Sequence, residues 1–437
     1  MTRRQFLTTV GASLLLTGAS RFWARPDHAG PRGEGGKQED RMGIEQAVPV
    51  FPRIANIYGA DIGSEATETE LRMAARYELL IGGLRVPRDA PGRARLNDCL
   101  ARLRALNPGI IILHFAASAP YWGTWQAQEV PEAAFLHTPE GNRITGWPGT
   151  QMLNLSRPEA LDLLVESIVA GCRGLAVDGV FVDCMGAGFD SWAVEIESRK
   201  QVSIDADGDG QPDDRAQLDR TWKEGKRILL ERLRAAFGDK FLIMVNAQAG
   251  AEYIRPYVNG NYYEDYVDYV MNCSMGWEEV LDLYREECSL PHAPNCTTIN
   301  ASSGIWPEYE ASRRLPAEEC QSLLEEGYSK LRRMRFGLAT ALMGDGYYGY
   351  DLNTRWRGQH WWYPEFDAPL GRALGSAGPA GDGTWRREFA GGLVVVNPQV
   401  RRAHVKLNRR HRDFTTGWSG TEFTIPAHDG RILLPVG

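Results

Sequence analysis

The chain has 437 residues, 43% of them hydrophobic and 24% charged, the proportions of an ordinary folded protein with room for two or three domains. Its 49 Lys and Arg stand against 56 Asp and Glu, a formal charge of −7, which argues against a partner that needs a basic face, nucleic acid above all. Past the opening residues no apolar run approaches the roughly 20 residues of a bilayer span, so a membrane transporter is excluded, as are fibrous and disordered chains.

In chain order, Thr2-Arg3-Arg4-Gln5-Phe6-Leu7 precedes an apolar, small-residue stretch from Val10 to Ala19. A charged start, a short apolar core and small residues near a cut site describe an export signal over residues 1–24. The adjacent arginines with Phe6 and Leu7 resemble the twin-arginine type; a general secretory signal that happens to carry two arginines is the alternative. The expected location is the periplasm or outside the cell, with no membrane attachment once the signal is removed. Residues 25–49 are polar, Gly-rich and without period, which predicts a linker.

Short apolar runs then alternate with helical patterns. The expected strands are Arg53–Tyr58, Tyr77–Ile81, Ile110–His114, Gly179–Asp183, Phe241–Asn246, Asn261–Glu264, Cys296–Asn300 and Tyr347–Tyr350. Eight such strands predict an α/β fold, a (β/α)8 TIM barrel over residues 50–370. One intervening helix is legible in detail. Ser156-Arg157-Pro158-Glu159 has the form of a capping box, and Leu161, Leu164, Val165, Ile168 and Val169 make one apolar stripe before Gly174. From residue 371 to 437 the segments TWRREFAGGLVVVNPQVRRAHVKL and TEFTIPAHDGRILLPV alternate apolar and polar residues, predicting a small antiparallel β-sandwich.

Seven cysteines are too few for a disulfide scaffold, and no Cys-x-x-Cys occurs; Cys288 and Cys296, flanking SLPHAPN, are the pair placed to bridge after export. No organic-cofactor motif is present. Neither His-x-His nor His-Glu-x-x-His occurs among the eight histidines, which disfavours a catalytic metal.

Barrel chemistry projects from the C-terminal strand ends. Asp183 ends the fourth expected strand. Glu264 and Asp265 follow two tyrosines at the end of the sixth, where a proton donor in a partly apolar pocket is expected. If Val267–Asn272 were the strand instead, Glu264 would lie at the wrong end. Asp61, His114, Asn246, Asn300 and Asp351 stand at other strand ends and, with Asp265 beside Glu264, are candidates for binding the substrate. Trp122, Trp125, Trp147, Trp361 and Trp362 fall in expected loops, where an indole face suits the apolar face of a sugar ring. Paired acids with aromatic platforms point to glycoside hydrolysis of a poly- or oligosaccharide, Asp183 as nucleophile or base and Glu264 as general acid. A carboxyl separation of about 5–5.5 Å implies retention and about 6.5–9.5 Å inversion. A carbohydrate-binding barrel without turnover is the alternative.

GVFVD, YYED, GQHWWYPEFDAPLG and FAGGLVVVNP together resemble a family of hypothetical glycosyl hydrolases, barrel proteins distantly similar to the alpha-amylase and alpha-galactosidase groups. The resemblance runs from about residue 50 to the end. It implies a nucleophilic Asp at the fourth strand, falling on Asp183, and an acid on a later strand, falling on Glu264; it leaves the sugar open.

Asp205-Ala206-Asp207-Gly208-Asp209-Gly210-Gln211-Pro212-Asp213 has the spacing of a calcium loop, oxygens at alternate positions and glycine at the tight turn. Asp205, Asp207, Asp209, Gln211 and Asp213 are the expected ligands of a structural Ca2+. The loop has Ala216 where a bidentate Glu would close it, leaving Asp214 or Asp219 as substitutes.

Overall fold

A computed structural model describes residues 48–57, 61–119, 121–123, 130–146, 149–189, 202–247, 251–266, 276–302, 331–351 and 362–437. Eight parallel strands form its centre: β1 (Ala55–Ile57), β2 (Leu79–Ile81), β3 (Ile111–Ser118), β6 (Gly179–Asp183), β7 (Leu242–Val245), β8 (Gly260–Tyr263), β9 (Thr298–Ser302) and β10 (Tyr347–Asp351), hydrogen-bonded in that order. The ring closes where the Tyr348 N–H donates to the Arg53 carbonyl at 2.9 Å and Ile54 bridges Tyr348. All eight expected strands are present. β3 runs four residues past His114 to Ser118, and β9 begins two residues after Cys296. β8 sits between β7 and β9, so YYED does leave the strand at its C-terminal end.

Strand alternation divides the side chains between two cores. Leu79, Leu113, Phe181, Met244, Tyr262 and Tyr347 fill the barrel interior. Val180, Val182, Ile243 and Val245 face outward, beneath α3 (Pro158–Cys172) and α4 (Arg215–Phe237). The other described helices are α1 (Glu68–Ala74), α2 (Ala90–Leu106), α5 (Trp277–Glu287) and α6 (Leu331–Ala341).

The start of α3 departs from expectation. Its N-cap is Arg157, without a side-chain bond, because the Ser156 hydroxyl donates to Asn154 Oδ1 at 2.6 Å instead. The capping box loses to a nearer carboxamide. Leu161, Leu164 and Ile168 are buried as predicted. Cys288 and Cys296 are free thiols: Cys296 packs in the barrel interior, whereas Cys288 lies against the outer core.

A hairpin of β4 (Tyr121–Gly123) and β5 (Thr150–Met152) lies between β3 and α3 in the chain. The C-terminal part is one six-stranded antiparallel sheet, β11 (Gly378–Pro379), β12 (Trp385–Phe389), β13 (Gly392–Asn397), β14 (Ala403–Asp413), β15 (Ser419–Ile425) and β16 (Asp429–Pro435), ordered β11-β12-β13-β16-β14-β15. Its pairing shifts register between Lys406 and His411, where an irregularity bends the long β14. The sheet folds over as a small sandwich around Val395, Val405, Phe423, Ile425 and Leu433.

Its other face, with Val394, Val396 and Ile432, joins the barrel's outer core beneath α6. There β16 runs so close to α6 that a Cβ at Gly430 would lie 2.2 Å from that of Ala339. Asp429, fully buried, accepts from Arg335 at 2.9 Å and from Arg431 at 2.7 Å, which ties helix and sheet by charge-assisted bonds. Arg387 of β12 reaches across to Asp345 at 2.6 Å and to the Leu342 carbonyl at the end of α6.

Candidate active site at the barrel mouth

The C-terminal rim carries its polar residues on the inward pleat. Phe181 faces the barrel axis, so Asp183, two residues on, does as well; Met244 leads in the same way to Asn246, Tyr262 to Glu264, and Cys296 to Asn300 and Ser302. Asp351, two residues after Gly349 on the pleat of Tyr347, pairs in register with Ser302. Asp183, Asn246, Glu264, Asn300, Ser302 and Asp351 are all buried. The expected acids therefore stand on β6 and β8 with only β7 between them.

That middle strand links to the second acid. Asn246 Nδ2 donates to Glu264 Oε2 at 2.9 Å. Each acid also ends its extended stretch at a left-handed residue, Cys184 with φ 60° after Asp183 and Asp265 with φ 49° after Glu264. Left-handed backbone at non-glycine residues stores strain and gathers at functional sites. At the first turn the Cys184 N–H donates to Asp183 Oδ1 at 2.8 Å, and the Ala119 N–H to the Asp183 carbonyl. Asp265 itself is buried beside Glu264 at the turn.

Two supports escaped the sequence reading. Lys226 on α4 is fully buried and its Nζ donates to the carbonyls of Gly186 and Gly188, bracing the loop that follows Asp183. Its signal was a lone lysine in the apolar stripe of Leu218, Trp222 and Leu229. Behind β8, Glu287 of α5 accepts from Asn261 Nδ2 at 2.8 Å and Tyr263 Oη at 2.7 Å. Burial raises the pKa of Glu287, which the two donors partly offset, and pushes the Tyr263 phenol well above its usual range.

Among the described residues, Asn246 Oδ1, Asn300 Oδ1 and Ser302 Oγ at the rim have no hydrogen-bond partner. A buried polar atom left unpaired costs about 1–3 kcal/mol. The N–H end of the Asn300 amide is occupied, donating to Tyr262 Oη.

His114 is on the outer pleat of β3, against Gly171 of α3, because its neighbours Leu113 and Phe115 take the interior. Asp61 is exposed and paired with Arg85 at 3.1 Å. Trp122 is buried in the β4–β5 hairpin and offers no open ring face. Trp362 wedges between Tyr77 and Phe366 under Arg76 and donates to Asp367. Trp125, Trp147 and Trp361 lie outside the described residues.

In the acidic loop, carboxylate oxygens of Asp205, Asp207 and Asp209 come within 4.8 Å of one another. Gly208 and Gly210 both take φ +82°, as the tight turn requires, and Asp205 accepts from their N–H groups. The Gln211 N–H donates to Asp209 Oδ1, and Asp213 Oδ2 accepts from the Ala206 N–H. The loop is tied to the start of α3 by Asn154 Nδ2, which donates to the Ala206 carbonyl. Asp214 instead caps α4 and Asp219 pairs with Arg215, so neither replaces the missing twelfth-position ligand.

The sequence matches the model of hypothetical glycosyl hydrolase family 15 over residues 111–393. A comparison with curated proteins finds no match. Among solved structures, similarity extends to an alpha-amylase from Geobacillus thermoleovorans complexed with acarbose, at 10% identity and TM-score 0.48, covering 88% of this chain and 98% of that one. A maltogenic alpha-amylase from Thermotoga neapolitana is similar at 8% identity and TM-score 0.48, covering 88% and 99%. An alpha-galactosidase from Geobacillus stearothermophilus in complex with stachyose is similar at 12% identity and TM-score 0.43, covering 89% of this chain and 56% of that one.

His114 makes a pH prediction. Burial, helped by the charge of Arg93, lowers its pKa from 6.5 to about 4. Between those values the unfolded chain binds a proton that the folded chain refuses, so stability falls as pH drops from 6.5 towards 4. In His114→Leu this contribution disappears. The unfolding free energy of the variant relative to wild type is expected to rise across that window by at most on the order of 3 kcal/mol. Denaturant titrations at pH 7, 5.5 and 4 measure it, and a pH-independent difference refutes the assignment.

Proposed function

The chain belongs to hypothetical glycosyl hydrolase family 15, and from that membership together with the acids at the barrel mouth we propose that it is an exported glycoside hydrolase cleaving O-glycosidic bonds of a poly- or oligosaccharide. Asp183 serves as nucleophile or base at the anomeric carbon, and Glu264 protonates the departing glycosidic oxygen. The observation that carries this reading is that the two buried carboxyls face the same barrel axis from β6 and β8, with Asn246 on the intervening strand bonded to Glu264. That bond restricts the plane of the Glu264 carboxyl, the kind of support a group needs if its proton is to be aimed at one oxygen. Asn246, Asn300 and Asp351 are the proposed contacts to sugar hydroxyls; His114 is left out because it lies on the outer pleat of β3, against α3.

Hydrolysis of a glycan panel by the purified chain tests the proposal. Asp183→Asn and Glu264→Gln are each expected to lower the rate by about 10²–10⁴-fold, the range for removal of an acid or base. Equal activity in either variant removes that residue from the site, and absence of turnover in wild type leaves a binding barrel. Export rests on Arg3 and Arg4, and replacing both by lysine is expected to hold the chain inside the cell.

We also propose a structural Ca2+ held by Asp205, Asp207 and Asp209, with Gln211 and Asp213 completing the set. The support is the convergence of three carboxylates on a glycine-shaped turn. An ion bound there braces the segment between β6 and α4. Millimolar calcium is expected to raise the unfolding temperature and chelator to lower it, by an amount equivalent to about 2.7 kcal/mol at a hundredfold excess over Kd. Asp205→Ala should abolish the calcium response. A response that survives this substitution places the ion elsewhere.

A further inference from the structure

The total charge of −7 conceals a segregation. Residues 371–437 carry ten Lys and Arg against five Asp and Glu, and six of the ten fall between Arg401 and Arg412. Arg409, Arg410 and Arg412, towards the end of β14, are exposed and pair with no carboxylate among the described residues. Exposed arginines at the start of the barrel are matched instead: Arg72 and Arg102 pair with Glu68, Arg85 with Asp61 and Arg95 with Glu65. Three neighbouring cations without a counter-charge repel one another, and a bound anion relieves that repulsion. Beside them stands Trp418, 63% exposed. Arg412 pairs in register with Ser419, the next residue, and the Asp413 N–H donates to the Trp418 carbonyl at 2.8 Å. The turn that carries the indole is held by buried Asp413, whose Oδ1 accepts from the Thr415 and Thr416 N–H groups while Arg431 donates to Oδ2 at 3.1 Å. The ring folds back over Gly420, where a Cβ would lie 3.1 Å from Nε1. An exposed indole on a turn braced in this way is presented in one place, which leaves little ordering to be done on binding.

We propose that this end of β14 and β15 docks an acidic polysaccharide of uronic acid rings, with carboxylates on Arg409, Arg410 and Arg412 and one ring against Trp418. The surface lies outside the barrel mouth, and its role stands whether or not the chain is a hydrolase. A guanidinium fork meets a carboxylate with two parallel bonds. A polyuronate brings one such group per ring together with the apolar C–H face that an indole accepts, so a single polymer answers both features. A membrane is the poorer occupant, because the exposed residues flanking Trp418 in the chain are Thr416, Gly417, Thr421 and Glu422, with no second apolar group to enter a bilayer. Single-stranded nucleic acid is also poorer. It is held in grooves that repeat aromatic and basic contacts over several nucleotides, and here one ring stands on a chain of net charge −7.

The test uses the full chain carrying Asp183→Asn, to prevent turnover of the polymer. It is titrated calorimetrically with polygalacturonate and alginate, with neutral dextran, with single-stranded DNA and with vesicles of mixed phosphatidylcholine and phosphatidylserine. At least one polyuronate is expected to bind more tightly than dextran, DNA and vesicles, and to weaken as salt rises, since exposed charges are screened. Replacing Arg409, Arg410 and Arg412 together by Gln should weaken that polymer by about three- to hundredfold, the range for three exposed charge pairs. Trp418→Ala should weaken it by about threefold or more. Neither variant is expected to lower the unfolding temperature, because all four side chains are exposed. No binding by either polyuronate, binding of dextran, DNA or vesicles at least as tight, affinity that salt does not change, or unchanged affinity in either variant overturns the inference.

Discussion

Closing eight strands into a ring imposes one constraint from which the rest follows: every second side chain must face the axis. Below the rim that requirement is met by Leu79, Phe181, Met244 and Tyr262, large groups that fill the interior and leave no pore. At the rim the same pleat delivers Asp183, Asn246, Glu264, Asn300 and Ser302 on consecutive strands. Their convergence needs no special loop. It is the continuation of a packed core by two residues, with polar side chains substituted for apolar ones.

That substitution has a stability cost which the surroundings must offset. Buried carboxylates and unpaired amide oxygens all disfavour the folded state. The compensation lies outside the mouth. Glu287 clamps the back of β8 through Asn261 and Tyr263, and Lys226 holds the loop after Asp183 from inside α4. Both are polar groups buried with partners, so removing one partner would strand the other in a medium that solvates it poorly. The mouth is thus held from behind.

The C-terminal sheet contributes to the same framework. Its outer face shares the apolar core beneath α6, and the Arg335–Asp429–Arg431 cluster joins sheet and helix where no water reaches Asp429. α6 in turn precedes β10, the strand that closes the ring through Tyr348 and Arg53. Docking the sheet therefore steadies barrel closure at the strand carrying Asp351, far along the chain from the residues that do so.

The amino-acid sequence by itself determined the strands, the barrel and the rim position of Asp183, because apolar runs and their end residues are local patterns read along one segment. It also determined the acidic loop, whose glycines and aspartates act within nine residues. Tertiary structure alone decided which polar residues meet. His114 and Asn246 look alike as strand-end polar groups, yet one faces α3 and the other faces Glu264, since the parity of each strand is set by what its neighbours bury. Ser156 forms no capping box because Asn154 competes for its hydroxyl. Cys288 and Cys296 stay apart because the chain between them passes from the outer core into the barrel. Hydrogen-bond partners, pleat parity and burial are properties of several segments at once, and no single segment encodes them.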